Sequence, residues 1–463
     1  MYGVSEATKR AYMTDGSHKV ITVRFPWLAF EVTNENILQD SFSIEESILE
    51  GNNLEFIGCI ASKMEVTISD IGENFSKIVK DTYVEVILTA YDEHGYATDP
   101  ITVFKGFVDS AKKTANKKKK HIVAYDPFCK MQDIDVTNFY NTRGNITVVE
   151  LLNLLLGYVR DHSNMGQINI EYGYANKLCN GWVVIDGGTT KKATGLNAIT
   201  LLKSICQING VFGYFDPSKT GLTFCIMNDI KTSDSLVLPS NSTYLGADLY
   251  LVDASHGTTD DYYFEFYKEV EYEDFRVKSI DQVVIRTGAE DTDIWVGDGL
   301  NRYIIRNNIF MQTATDATKR GVATQILNTI GSVEFVPFTS DNNGLPFIRC
   351  GDEISYRDIA ILDDYKQVHF IVFARTLKGD QVLRDSYKAE GDEYQHEFIT
   401  EVSVNLSDIE SRLNEHDKEI KDLQDALDEH GGGWKVESVQ SLPSSPSPYT
   451  LYLIQGRVGI YHE

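Results

Sequence analysis

Strand-like alternation of apolar and polar residues runs through the first part of the chain. The segments at 42–46, 63–69, 83–88 and 103–109 place apolar residues at nearly every second position, and turn residues separate them. A period of two is typical of strands that bury one face. The spacing predicts an antiparallel sandwich or small barrel, which ends with a further strand at 122–125.

The hydrophobic period then changes to that of helices. Thr147 and Glu150 have the spacing of a capping box, and apolar residues at 151–159 follow at helical intervals. A second helix is predicted over 197–208, and strand patterns lie between and after the two helices. Residues 131–235 are therefore expected to form a small α+β unit.

Strand patterns return in the next part of the chain, at 269–273, 282–286 and 370–374. A helix with apolar residues at i, i+4 and i+8 is predicted over 313–330. Residues 340–344, which are rich in Asp, Asn and Gly, predict a loop. This second β-rich unit is expected to echo the structure of the first, although the sequence identity between them is too low to indicate a repeat.

The predicted fold class is mainly β with an α+β insert, with two small β-barrels in one chain, a short parallel coiled coil and a small C-terminal β element. The predicted domains are an N-terminal barrel at 1–130, the insert at 131–235, a second barrel with a helical insertion at 236–400, a trimerisation helix at 401–433 and a C-terminal β tip at 434–463.

The clearest local pattern is a heptad repeat near the C-terminus. Its core positions are Leu406, Ile409, Leu413, His416, Ile420, Leu423, Leu427 and His430. A helix of this length is marginal alone in water, so the repeat predicts association with copies of this chain or with a partner. The alternative is one amphipathic helix that docks on its own domain.

The core residues leave the oligomer order open. Leu406 at a with Ile409 at d favours trimers or tetramers, whereas Ile420 at a with Leu423 at d favours dimers. The heptads alone therefore do not distinguish a trimer from another oligomer.

Two polar features of the repeat, a pair of opposite charges and two histidines at core positions, lead to further predictions. In a parallel arrangement Arg412 would face Asp417 of the next chain as an ion pair. His416 and His430 fall at core positions, where each ring is expected to be neutral and hydrogen-bonded, or alternatively to form a layer that binds an ion. Protonation near pH 6 would weaken the coil.

Charge narrows the range of functions. Lys and Arg total 43 against 68 Asp and Glu, which gives a formal charge of −25. This balance argues against stable binding to duplex DNA or an anionic membrane, because both depend on cationic patches.

The basic tract at 112–120 is expected to be a solvated hairpin tip, or else a contact for an acidic neighbour or a phosphate surface. Residues 1–24 lack an apolar signal region, so folding in a cytoplasm is expected.

The sequence contains no recognised catalytic motif. The sequence has no metal-protease, nucleophile-elbow, phosphate-loop or dinucleotide-binding motif, so no catalytic, cofactor-binding or metal-ligating residues and no cofactor are predicted.

The six cysteines are widely spaced and are expected to be isolated buried thiols. The acidic aromatic stretch at 260–267 predicts a half-buried strand, with a sugar-lining surface as the alternative.

Five segments resemble one known family. They lie at 40–49, 54–68, 122–128, 344–354 and 373–381. They are similar to segments of the tail hub proteins, also called tail-tip proteins, of phages and prophages of Gram-positive bacteria, which are similar to the baseplate hub of contractile tails. The resemblance implies a homotrimeric ring of two barrels per chain, whose pseudo-sixfold face docks the hexameric tail tube and gates the DNA channel.

The same resemblance implies the partners and the location. They are the tail tube, the distal tail protein, the tape measure protein, a tip fibre or spike, and DNA in transient passage, in a virion tail tip assembled in the host cytoplasm. Family members often carry a peptidoglycan hydrolase after the hub, for which residues after 400 are too few. A structural protein without enzyme activity is therefore expected. A trimeric adhesin for surface glycans is the first alternative and a tail-associated cell-wall hydrolase the second.

Overall fold

The fold was analysed in a computed structural model of the chain. The residues that the structure describes are 3–13, 17–50, 53–54, 58–59, 61–69, 73–113, 118–166, 168–170, 177–227, 236–238, 244–246, 249–250, 267–287, 293–331, 333–356, 370–379, 382–391, 397–401, 435–439, 450–454 and 457–460. Two compact units are found, Met1–Val402 and Ser403–Glu463. The structure is mainly β, with few helices.

The first β-unit contains the predicted strands. Its strands are β1 Lys19–Phe25, β2 Phe30–Val32, β3 Ser43–Ser47, β4 Leu49–Glu50, β5 Asn53–Leu54, β6 Gly58–Cys59, β7 Ala61–Ser69, β8 Tyr83–Ala90, β9 Ile101–Lys113 and β10 Lys119–Tyr125. Its helices are α1 Glu6–Met13 and two short 3₁₀ helices, Pro26–Leu28 and Glu73–Lys77. Alternate residues of β8 are buried, which confirms the period-two pattern.

The α+β insert follows directly. Its elements are α2 Phe128–Gln132, α3 Thr137–Asn141, β11 Asn145–Thr147, α4 Val148–His162, β12 Ile168–Ile170, β13 Val184–Asp186, α5 Ala198–Gln207, β14 Phe212–Asp216 and β15 Leu222–Met227. The capping box is confirmed, because Thr147 Oγ1 accepts from the N–H of Glu150 at 3.3 Å and Glu150 Oε2 accepts from the N–H of Thr147 at 3.1 Å. The apolar face of α4 is buried as the pattern predicts.

The second β-unit contains the remaining elements of the larger unit. They are β16 Leu236–Leu238, β17 Tyr244–Gly246, β18 Leu249–Tyr250, β19 Tyr267–Tyr272, β20 Gln282–Arg286, β21 Ile294–Gly297, β22 Arg302–Arg306, α6 Asp316–Ile330, β23 Phe338–Asn343, β24 Glu353–Tyr356, β25 Phe370–Ile371, β26 Ala374–Lys378, β27 Arg384–Ala389 and β28 Glu397–Glu401. The predicted helix is confirmed as α6, in which Val322, Ile326 and Ile330 are buried.

One continuous sheet joins the two β-units. Its strand order is β19-β23-β27-β26-β3-β7-β10-β9-β8-β1-β2. β3 of the first unit pairs antiparallel with β7 on one side and with β26 of the second unit on the other. The described strands therefore form open sheets, and the prediction of two closed barrels is not confirmed. The edge of β3 that faces away from β7 is hydrogen-bonded to β26, so the sheet continues into the second unit at this point.

Residues 340–344 do not form the predicted loop. They lie mostly within β23, which pairs with β19 on one side and with β27 on the other. Ser340 and Asn342 are buried there, and Asn342 Nδ2 donates to Ser340 Oγ at 2.9 Å and to the carbonyl oxygen of Asp385 at 3.3 Å. The amide and hydroxyl groups are satisfied inside the sheet, so a sequence typical of turns forms a strand.

The basic tract is a hairpin, but it is not solvated throughout. β9 and β10 pair antiparallel, and Lys112 and Lys113 are exposed as predicted. Lys120 is buried instead. Its ammonium group donates to the carbonyl oxygens of Phe75 and Ile78, the latter at 2.9 Å, and lies 4.8 Å from the centre of the Phe75 ring. These acceptors offset the desolvation of the charge.

The thiol groups largely follow the prediction. Among the described side chains, Cys206, Cys225 and Cys350 are buried, whereas Cys129 and Cys179 are half-buried. The C-terminal unit contains a three-stranded sheet of β29 Lys435–Val439, β30 Thr450–Ile454 and β31 Arg457–Ile460. In this sheet β29 pairs parallel with β30, and β30 pairs antiparallel with β31.

Candidate functional site at the junction of the β-units

The sequence-predicted site residues are not described by the structure. All eight core positions of the heptad repeat, Leu406, Ile409, Leu413, His416, Ile420, Leu423, Leu427 and His430, and the pair Arg412 and Asp417 lie outside the described residues. Most of the acidic aromatic stretch at 260–267 also lies outside the described residues. The coiled coil and its ion pair therefore stay predictions.

The described residues bring together a different set of side chains, at the boundary between the two β-units. In the ladder of β3 and β26, Arg375 lies opposite Glu46, and in the ladder of β26 and β27 it lies opposite Tyr387. Residues directly opposite share a face, as do residues two apart along one strand, so Asp385 lies on this face too. The strand register thus assembles four polar groups that are far apart in sequence.

Arg375 and Asp385 form a bidentate ion pair in the protein interior. Arg375 Nε lies 2.9 Å from Asp385 Oδ1, and its Nη2 lies 3.0 Å from Oδ2. Both side chains are almost fully buried. Asp385 also accepts hydrogen bonds from the N–H of Leu345 at 2.8 Å and from Tyr387 Oη at 3.2 Å. Fork-shaped pairing with additional donors is the arrangement that offsets burial of two charges.

The remaining guanidinium donors hold the loop before β24. Arg375 Nη2 donates to the carbonyl oxygen of Leu345 at 3.2 Å, and Nη1 donates to that of Ile348. Burial by itself would lower the pKa of Arg375, but the carboxylate of Asp385 outweighs burial and raises it. Burial raises the pKa of Asp385. Burial favours a neutral Asp385, whereas its hydrogen-bond donors favour the carboxylate. We assign an ionised pair, because both carboxylate oxygens of Asp385 accept hydrogen bonds.

Two further carboxyl groups belong to the first β-unit: Glu46 lies beside this pair, and Asp126 lies near enough to Glu46 for their charges to interact. Glu46 Oε2 is 3.9 Å from Arg375 Nη1, and burial raises the pKa of Glu46 against the attraction of Arg375. Asp126 accepts from the N–H of Ser62 at 2.7 Å and from that of Phe128 at 3.1 Å. Burial raises the pKa of Asp126 to about 7. The junction therefore holds carboxyl groups that take up protons more readily than exposed ones.

Arg349 connects the same region to the α+β insert. Its Nη1 donates to Tyr214 Oη at 3.1 Å and lies 3.7 Å from Asp216 Oδ2, and both partners belong to β14. The guanidinium carbon also lies 5.4 Å from the centre of the Tyr214 ring. The backbone N–H of Arg349 donates to Asp352 Oδ2 at 2.9 Å, which fixes the loop.

A small cavity remains where the three parts meet. Its volume is about 20 Å³, and Glu46, Tyr214, Arg349 and Cys350 are among its lining residues. This is room for a single water molecule. Burial raises the pKa of the Cys350 thiol well above its ordinary value. The site is therefore suited to holding three parts of one chain together, and its thiol is unsuited to nucleophilic chemistry.

Sequence reasoning missed this junction, because ion-pair partners that meet through long-range strand pairing have no fixed spacing. The signal that could have found it was the set of family-like segments, since Glu46, Arg349, Cys350 and Arg375 all lie within them. Among the described residues, no group of three or more His, Cys, Asp or Glu is placed to hold a metal ion. In the same part of the chain, no helix has the length and apolar character needed to span a membrane.

Comparisons with known proteins identify similar structures but no family. No protein-family model matches the chain, and no curated protein matches its sequence. Similar solved structures include the 43 kDa tail protein of prophage MuSo2 from Shewanella oneidensis, with 12% identity and a TM-score of 0.44 over 82% of this chain and 100% of that one. The tail protein of Neisseria meningitidis MC58 has 12% identity and a TM-score of 0.44, over 82% of this chain and 99% of that one.

A third similar structure is the half-lidded PdpA–VgrG complex of Francisella, with 10% identity and a TM-score of 0.44. That similarity covers 84% of this chain and 60% of the other. The similar structures are thus tail proteins and a VgrG complex. Since each TM-score is below 0.5, these similarities assign neither a family nor a function to this chain.

Proposed function

We propose that this protein is a structural hub at the distal end of a phage tail or phage-derived particle. In this proposal three chains form a ring that joins the hexameric tail tube to the tip and gates the DNA channel. Its further partners would be the distal tail protein, the tape measure protein, and a tip fibre or spike. The chain would act by assembly, without an enzymatic step.

One observation supports this proposal most directly: the segments that resemble the hub family converge in the fold. The segments at 40–49, 54–68, 122–128 and 373–381 contain all or part of β3, β7, β10 and β26, which are neighbours in one sheet. The fifth segment, at 344–354, receives two hydrogen bonds from Arg375 of β26. Scattered matches would have no reason to meet, so the convergence favours a shared structural feature at the junction.

The junction also supports the proposed match in symmetry between a trimer of this chain and a hexameric tail tube. Two β-units that share a sheet are held in a fixed relation by backbone hydrogen bonds along β3 and β26. Three such chains would present six β-units to a hexameric tube. The predicted heptad repeat supplies the means of association, and the acidic composition would keep a ring lumen from retaining DNA.

Imaging of purified particles by electron microscopy tests the proposal. A tagged copy of the chain is expected to give a ring on the tail axis, at the tube end, with three copies per particle. A peripheral position, or a copy number that does not divide into threefold symmetry, would contradict it and favour an adhesin. A matched particle with an untagged chain controls for density from other tip proteins.

A further inference from the structure

A second, separate cavity lies between the first β-unit and the α+β insert. Its volume is about 170 Å³. The polar side chains that line it are Asp81, Lys130, Asp133, His162, Ser163 and Asn164. The cavity is therefore much larger than the one at the junction, and its wall offers carboxylate, ammonium, imidazole, hydroxyl and amide groups within a small space.

On the side of the first β-unit, a tight turn fixes Asp81. The turn closes through the N–H of Thr82, which donates to the carbonyl oxygen of Val79 at 3.1 Å. Asp81 has a φ of 71°, and its N–H donates to the carbonyl oxygen of Val108 at 2.7 Å. Its carboxylate forms an ion pair with Lys130 of α2. This pair spans the boundary between the two parts of the chain.

On the side of the insert, His162 at the end of α4 is held in one orientation. Its ring stacks on that of Tyr158, with centres 3.8 Å apart and an angle of 16° between the planes. Its Nδ1 lies 2.9 Å from the carbonyl oxygen of Tyr158. Because a carbonyl can only accept, Nδ1 is the donor in this contact, which leaves Nε2 for other contacts.

An exposed aromatic ring lies near this cavity. Trp27 is 56% exposed, although its ring lies 5.6 Å from that of Tyr83 and 6.0 Å from that of Phe107. Phe107 lines the cavity, and the ammonium of Lys130 lies 5.5 Å from its ring centre. The Trp27 ring centre and the Lys130 ammonium each lie within 6.0 Å of the centre of the Phe107 ring, so they are near enough to each other for one extended ligand to span the distance.

We propose that this cleft, from Trp27 to His162, binds an uncharged saccharide of two or more pyranose units. Hydroxyl groups both donate and accept, which suits a wall that holds fixed donors beside fixed acceptors. Two aspartates against one lysine disfavour phosphate and other anions. The exposed indole face offers a flat apolar surface on which a second sugar ring stacks. This site is distinct from the junction and does not depend on the hub proposal.

Binding of neutral oligosaccharides to the full-length chain tests the inference. The probes are N-acetylglucosamine oligomers of two to four units, cellobiose and maltose, followed by isothermal titration calorimetry and saturation-transfer NMR. At least one probe is expected to bind saturably. Trp27→Ala and Asp133→Asn are each expected to weaken that binding by roughly five- to tenfold, since each removes one contact.

Trp295→Ala is the matched control, because Trp295 is 53% exposed on β21 of the second β-unit and distant in sequence from the cleft. It should leave binding unchanged, and thermal unfolding of each variant checks that the fold is retained. The inference is overturned if no probe binds saturably, or if Trp27→Ala and Trp295→Ala alter binding equally. Binding of phosphorylated sugars in place of neutral ones would likewise contradict the charge argument.

Discussion

Arg375 contacts three parts of the junction: β27, β3 and the loop before β24. Its guanidinium group pairs with Asp385, lies near Glu46 and donates to two backbone carbonyl groups of the loop before β24. Removal of such a residue has a large effect on stability, because each group that it contacts is already shielded from water and would lose its compensation.

Replacement of Arg375 tests this at the level of one residue. Arg375→Met is expected to lower the free energy of unfolding by about 3–5 kcal/mol, since it leaves the buried carboxylate of Asp385 without its cation. Urea unfolding followed by circular dichroism measures the change. Arg384→Met, at an exposed position of β27, is the matched control and should change stability little. Equal losses in the two variants would contradict the role given to the buried pair.

Asp126 makes stability depend on pH. Its pKa of about 7 in the folded protein lies above the ordinary value of 3.8, so the folded state binds its proton more tightly than the unfolded state does. Its contribution is fully present below about pH 4 and is lost as pH rises through about 7, with a slope of up to about 1.4 kcal/mol per pH unit.

Unfolding by urea at a series of pH values between 4 and 8 measures this contribution. Asp126→Asn is expected to flatten the decline in this range, whereas Asp99→Asn, at an exposed loop position, should leave it in place. An unchanged profile in Asp126→Asn would show that the decline belongs to other groups, among which Glu46 is the nearest candidate because burial raises its pKa as well.

At the scale of elements, helix α4 shows how a local motif sets a boundary. Thr147→Ala removes the side-chain acceptor that caps the helix and is expected to lower the free energy of unfolding by about 1 kcal/mol. Glu150→Gln keeps a side chain that can complete the capping box and should cost less. A loss in Glu150→Gln as large as that in Thr147→Ala, measured by urea unfolding, would contradict this reading.

Elements of this kind were the part of the fold that the sequence could predict. Apolar periodicity located β8, α4 and α6, because burial of one face imposes the period. It failed at β23, whose polar residues are satisfied by neighbouring strands, and at Lys120, which carbonyl oxygens hold in the interior. Periodicity did not reveal the junction for a related reason, since the pairing of β3 with β26 is set by tertiary structure and leaves no local pattern in either strand.

At the scale of the whole molecule, we predict that the heptad repeat sets the oligomeric state of the chain. Leu413→Asp in the full chain places a charge at a predicted core position of the heptad repeat and is expected to convert the proposed trimers into single chains. Native mass spectrometry measures the outcome against a single-chain mass of 52.2 kDa. Lys421→Asp, at a position outside the predicted core, is the matched control. Trimers that persist in Leu413→Asp would place the association elsewhere in the chain.

The pairing of β3 with β26 has a consequence for biosynthesis. During translation β3 emerges long before residues 374–378, so for a few tens of seconds it is an edge strand with open hydrogen-bonding groups. A neighbouring nascent chain could supply its own β26 to that edge, which would produce an exchanged dimer. Contacts so distant in sequence also form slowly. Yield of correctly folded chain should therefore depend on the rate of synthesis and on how closely ribosomes follow one another along the message.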